Sequence, residues 1–201
     1  MEVRLTNGVV STKIIKPENC LLGFGIPTNK DDFYEDQRHP AKRFAKYFNG
    51  IWAKYDCQIV RCINKIEPKI VEYGATIVHR LSLQKFGEML SSNKFDVVVL
   101  FSHWEDDSVE FYDGMADISA IVDQIPLNFS GILDLSICHP IKLTIEIKKK
   151  RPNCLVKFTN KAATPFIWLC FYDALFWYLK NQNKTYLSAL EEVIDSFLTH
   201  R

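Results

Sequence analysis

Two residues pose a chemical question before any structural element does. His103 closes the apolar run "FDVVVLFSH", and Cys138 closes the apolar run "SGILDLSIC". A cysteine thiol ionises near pH 8.5, so at neutral pH it is mostly protonated, and an adjacent imidazole raises the reactive thiolate fraction. The same imidazole can later protonate a leaving amine. Backbone N–H groups in the turns after the two runs can hold a developing oxyanion. Cysteine is also among the most buried residue types, so Cys138 alone reads as core. The chemical reading comes from the pair, because both residues end a run of the same kind.

The runs that must position them read as buried strands, the first because it is continuously apolar, as expected of a strand covered on both faces. If the two are parallel neighbours, both side chains emerge at one sheet edge. Between them, "SVEFYDGMADISAIVDQIP" predicts a hairpin turning at Asp113-Gly114, then a helical turn or two. Upstream, "LLGFGIP" reads as a strand, "DDFYEDQR" as a loop and "HPAKRFAKYFNGIWAKY" as one amphipathic helix. "DCQIVRCINKI" and "YGATIVHRL" are rich in β-branched residues and read as strands. Ser82 is a good N-cap for a helix with Leu83, Phe86, Met89 and Leu90 on one face. Downstream, "NCLVKF" reads as a strand, and the aromatic segment from 165 and "YLSALEEVIDSFL" as helices. The stretch "IKLTIEIKKKRPN" alternates like a strand, but a parallel crossover calls for a helix there, and a helix is expected. The sum is an α/β fold with a mainly parallel central sheet and helices on both faces, as a single domain over residues 1–201. Functional residues in such sheets gather at the carboxyl ends of the strands, where His103 and Cys138 fall.

Composition narrows the function. The chain has 201 residues, 47% of them apolar, with a net charge of +1, so bulk charge argues for neither nucleic acid nor membrane binding. The six cysteines form no CxxC pair, and a chain this long needs no disulfides, which predicts a reducing, cytoplasmic setting. The N-terminus lacks the apolar core of a secretory signal. The apolar stretch 165–179 is about 15 residues, against roughly 20 for a membrane span, and carries Asp173 in its middle. Its many aromatics offer either a partner or dimer interface or a helix buried on two sides. No phosphate-binding loop, EF-hand or zinc spacing is present, and neither cofactor nor metal is expected.

The order "FDVVVLFSHW", "VEFYDGMADISAIVDQIPL", "SGILDLSICHP" resembles the CHAT family of caspase-like cysteine peptidases. In that family an apolar strand ends in His-Gly, a short hairpin and a helix follow, and the next strand ends in a Ser-Ala-Cys-like triplet, here Ser136-Ile137-Cys138. "LLGFGIPT", "HPAKRFAKYF" and "GATIVHRLSLQKFGEML" are similar to the preceding elements, and the segment from "NCLVKF" to "YLSALEEVI" to the closing ones. The resemblance implies a caspase-like three-layer sandwich. It implies His103 as general base, Cys138 as nucleophile, and an oxyanion hole from the backbone N–H groups of Trp104 and Cys138. It further implies a protein substrate and, in a chain without room for a sensor module, a separately encoded regulator, in a setting of bacterial defence or programmed death.

The sequence departs from the family where Trp104 replaces glycine and where His139-Pro140 follows the cysteine. A tryptophan adopts positive φ only at a cost, so the oxyanion loop is expected to differ, or the ring to wall the substrate cleft. Arginine-specific relatives carry Asp two residues before the nucleophile. Here Ser136 stands there, and Asp134, of the same strand parity, lies deeper. Ser136, Asp134 and His139 are the candidate substrate-pocket residues. Glu105-Asp106-Asp107 reads as a solvated loop or as a lure for a basic substrate. Two other functions fit the same residues: a catalytically inactive CHAT-like interaction module, and an acyltransferase or amidase using the same dyad.

Overall fold

The computed structural model describes residues 3–5, 13–159 and 164–199. Its centre is a six-stranded sheet ordered β1-β9-β8-β4-β2-β3. The strands are β1 (Val3–Leu5), β2 (Cys20–Phe24), β3 (Thr76–Val78), β4 (Val97–Phe101), β8 (Ile132–Ser136) and β9 (Leu155–Thr159). Five of them are parallel, and β1 joins β9 antiparallel at one edge. Helices cover both faces. On one side lie α3 (Arg61–Tyr73), α7 (Pro165–Gln182) and α8 (Tyr186–Thr199); on the other lie α4 (Leu83–Ser91), α5 (Ile118–Gln124) and α6 (Ile141–Lys150). The chain runs outward from β2 to β3, then steps back over β2 to β4 and proceeds to β8 and β9. Right-handed crossovers require the helices to change face at that reversal, and they do.

Strand parity divides the core. Val97, Val99, Phe101, Ile132 and Leu155 join the cluster under α3, α7 and α8, while Val98, Leu100, Leu133, Leu135 and Val156 join the one under α4, α5 and α6. Both faces of β4 are therefore apolar, as its unbroken run requires; β8 is buried on both faces too, but its face toward α7 carries Asp134 and Ser136 beside Ile132. A second, three-stranded antiparallel sheet follows β4: β5 (Trp104–Glu105), β6 (Ser108–Phe111) and β7 (Gly114–Asp117). The hairpin expected at Asp113-Gly114 joins β6 to β7. A second one joins β5 to β6 with Asp106 and Asp107 both at positive φ, so the acidic run is a tight turn and not a loose loop.

Three expectations are corrected. "DDFYEDQR" is helix α1 (Lys30–Arg38), not a loop: Asn29 caps it by accepting from the Asp32 N–H (3.0 Å). Its buried face is Phe33 with two carboxylates, Asp32 and Asp36, so it carries no apolar period to read. The single helix read across "HPAKRFAKYFNGIWAKY" is broken. A 3-10 segment (Phe44–Phe48) ends in Asn49 and Gly50 at φ of 51° and 72°, and α2 (Trp52–Tyr55) begins after it. "DCQIVRCINKI" is helical throughout, as a π turn (Asp56–Val60) running into α3. Ile59, Ile63, Ile66 and Ile70 recur at three and four residues and are all buried. Burying each isoleucine contributes about 1.5–3 kcal/mol, far above the few tenths by which its β-branch disfavours a helix. The helix expected at 141–151 is present as α6. Of its alternating apolar residues only Leu143 and Ile147 are buried, while Ile141 and Ile145 face solvent. Part of the strand region read before β2 lies outside the described residues.

Candidate active site

The register of β4 against β8 sets the site. Val97 pairs with Ile132 and Phe101 with Ser136, and the same offset carries His103 to Cys138. The last link of this edge is the Ser102 N–H donating to Ser136 O (3.3 Å). Both strands then diverge, which opens a cavity of about 50 Å³ at their carboxyl ends. His103 and Cys138 both line it, with Phe101, Ser102, Ser136 and Ile137 below them. Ile26, just past β2, closes one side, Phe44 covers another, and Pro165 and Trp168 from the first turn of α7 form the last. Three parallel strands thus contribute their carboxyl ends, beside the reversal of strand order where a crevice is expected.

His103 is mostly buried and held on three sides. The Phe44 ring lies 5.2 Å away at 31°, and the Tyr47 ring 5.5 Å away edge-on. Its Nε2 lies 3.3 Å from Glu105 Oε2, while the Tyr47 hydroxyl donates to Glu105 Oε1 (3.0 Å). Burial pushes the His103 pKa below the ordinary imidazole value, and the Glu105 carboxylate opposes that shift without cancelling it. The net shift favours the neutral ring, the form that can accept a proton. Sequence reading took Glu105 as part of a solvated acidic run or a lure for a basic substrate, and did not pair it with His103. Strand parity was the available signal, since residues two apart on a strand share a face.

Glu110, on β6, anchors this clamp from below. Its Oε2 accepts from the Arg43 and Phe44 N–H groups (3.0 and 3.1 Å), which fixes the start of the 3-10 segment carrying Phe44 and Tyr47. Its backbone accepts the Ser102 hydroxyl and donates to His103 O. The carboxylate is fully buried beside Asp36 and Lys42, and burial together with Asp36 raises its pKa to about 7.

Trp104 lies in β5 and its φ is not positive, in keeping with the expectation that a tryptophan avoids that conformation. Its ring packs against the core under α4, α5 and α6; the aromatic walls of the cavity are Phe44 and Trp168. The Glu110 N–H donates to His103 O (2.9 Å), which makes those two a hydrogen-bonded pair. Alternation along the ladder then leaves the Trp104 N–H on the side away from β6, outside the pairing. The positive φ falls instead on His139, at 51°, which turns the chain from Cys138 into α6. Pro140 is the N-cap of that helix, so the positive end of its dipole lies next to Cys138.

The candidate pocket residues separate. Ser136 lines the cavity, and His139 is exposed and does not. Asp134 lies beneath, fully buried: Oδ1 accepts from Lys157 Nζ (2.8 Å) and the Tyr172 hydroxyl (2.7 Å), and Oδ2 from the Tyr186 hydroxyl. Lys157 is equally buried, and its Nζ lies 4.2 Å from the Trp168 ring centre. No helix among the described residues is long and apolar enough to cross a membrane. The sequence matches no family model and no curated protein among those compared.

Proposed function

We propose that the chain is a caspase-like cysteine endopeptidase acting on a protein substrate, with Cys138 as nucleophile and His103 as general base. The observation that carries this reading is the shared cavity: His103 and Cys138, each two residues past the carboxyl end of a parallel strand, line one chamber. Cys138 Sγ attacks the scissile carbonyl carbon while His103 takes the thiol proton. The oxyanion is held by the N–H groups of Trp104 and Cys138. The C–N bond breaks as His103 returns the proton to the leaving amine. Water, deprotonated by His103, then attacks the thioester, and the C–S bond breaks to release the acid as His103 returns that proton to Cys138 Sγ. Glu105 orients the imidazole and stabilises its protonated form, and the α6 dipole favours negative charge on the sulfur.

A second reading, a non-catalytic module of the same fold, draws on one observation. The His103 ring is confined by Phe44, Tyr47 and Glu105, which restricts its turning toward the sulfur. Labelling with a thiol-reactive acyl probe separates the two. The peptidase reading expects Cys138 to react at least tenfold faster than exposed Cys57, and His103→Ala to abolish that advantage. Equal rates at the two cysteines favour the module.

A further inference from the structure

We propose that the chamber beside Cys138 is a specificity pocket for a small, uncharged side chain, alanine to valine in size, on the acyl side of the scissile bond. The inference rests on the peptidase reading above and assigns its substrate class. Size is the first argument. A water-sized group needs roughly 10–15 Å³ of such space, so a chamber of about 50 Å³ takes three or four heavy atoms. That accommodates alanine, serine or valine and excludes phenylalanine or arginine.

Charge is the second argument. Among the described residues that line the chamber, none is an aspartate, glutamate, lysine or arginine. The nearest carboxylate along β8, Asp134, is sealed beneath the floor and already compensated by Lys157, Tyr172 and Tyr186. The Glu105 carboxylate is engaged by His103 and Tyr47 and does not line the chamber. A basic or acidic substrate side chain would lose its water there and meet no countercharge on the described chamber wall, which is strongly unfavourable. The chamber walls are also rigid. Trp168 is 3% exposed and rests on the Lys157 ammonium, and Ile26 and Phe101 are equally buried. The chamber therefore cannot widen without disturbing the core.

The test uses the full chain and peptidyl acyloxymethyl ketones that differ only in the residue beside the ketone: Ala, Val, Phe, Arg or Asp. Cys138 Sγ displaces the acyloxy group as a carboxylate and forms a thioether, which mass spectrometry quantifies. The Ala and Val probes should label Cys138 at least tenfold faster than the other three. Ile26→Ala and the milder Trp168→Leu should each raise labelling by the Phe probe at least fivefold relative to the Ala probe. Arg or Asp labelling as fast as Ala would overturn the pocket assignment and leave the peptidase reading standing. If no probe labels Cys138 while iodoacetamide alkylates it, both fall.

Discussion

Glu105 sets how good a base His103 is. Burial disfavours the imidazolium, and the carboxylate 3.3 Å from Nε2 favours it. Glu105→Gln removes the favourable contribution, so the His103 pKa falls further. Catalysis needs the neutral ring, so the acid limb of the pH profile should move to lower pH. The plateau should drop about tenfold, because a weaker base transfers protons less well. Cys138 acyl-probe labelling measured across pH 4–8 reads both effects, and an acid limb that moves to higher pH would remove Glu105 from the role. At this scale the sequence disclosed residues that end apolar runs, and therefore His103 and Cys138. It did not disclose Phe44 or Trp168 as cavity walls, because each sits inside an aromatic-rich segment where nothing distinguishes wall from core.

The elements that hold the site differ in how openly they declare themselves. β4 follows from an unbroken apolar run, β8 from an Ile- and Leu-rich one, and α4 from a cap with a clear period. α1 hides its buried face because Asp32 and Asp36 are compensated by Arg80 and Lys42, partners far away in sequence or across a turn. α3 hides behind its isoleucines and ends at Gly74, whose φ of 108° lets the Ala75 N–H reach Ile70 O (3.2 Å). Gly74→Ala should destabilise the fold by about 1–2 kcal/mol. A Cβ there adds strain at positive φ and would meet the Glu18 side chain at 3.0 Å. In thermal unfolding this corresponds to a Tm lower by roughly 2–8 °C, and an unchanged Tm would mean the turn tolerates a side chain.

Across the whole molecule, the site rests on a buried polar network. Asp134, Lys157, Tyr172 and Tyr186 come from β8, β9, α7 and α8, so one cluster ties the sheet to the layer that supplies Trp168. Burial lowers the Lys157 pKa against the pull of Asp134, so removing one partner leaves an uncompensated group in the core. Lys157→Met alone should cost about 3–5 kcal/mol. Lys157→Met with Asp134→Asn should recover more than half of that, as read by urea unfolding. A single-variant loss below about 1 kcal/mol would mean that the pair contributes little. Nothing in the sequence marked these four residues as partners, since a lone Lys in "CLVKF" reads as an outward strand position. Local pattern determined what is set by local energetics: the buried strands, their carboxyl ends, the Ser82 cap, and two chemically competent residues with a hairpin between them. Tertiary structure decided the rest: the register that brings His103 toward Cys138, the burial that lowers the imidazole pKa against the pull of Glu105, and the size and charge of the chamber. Those depend on contacts between distant segments, whose energies no local period encodes.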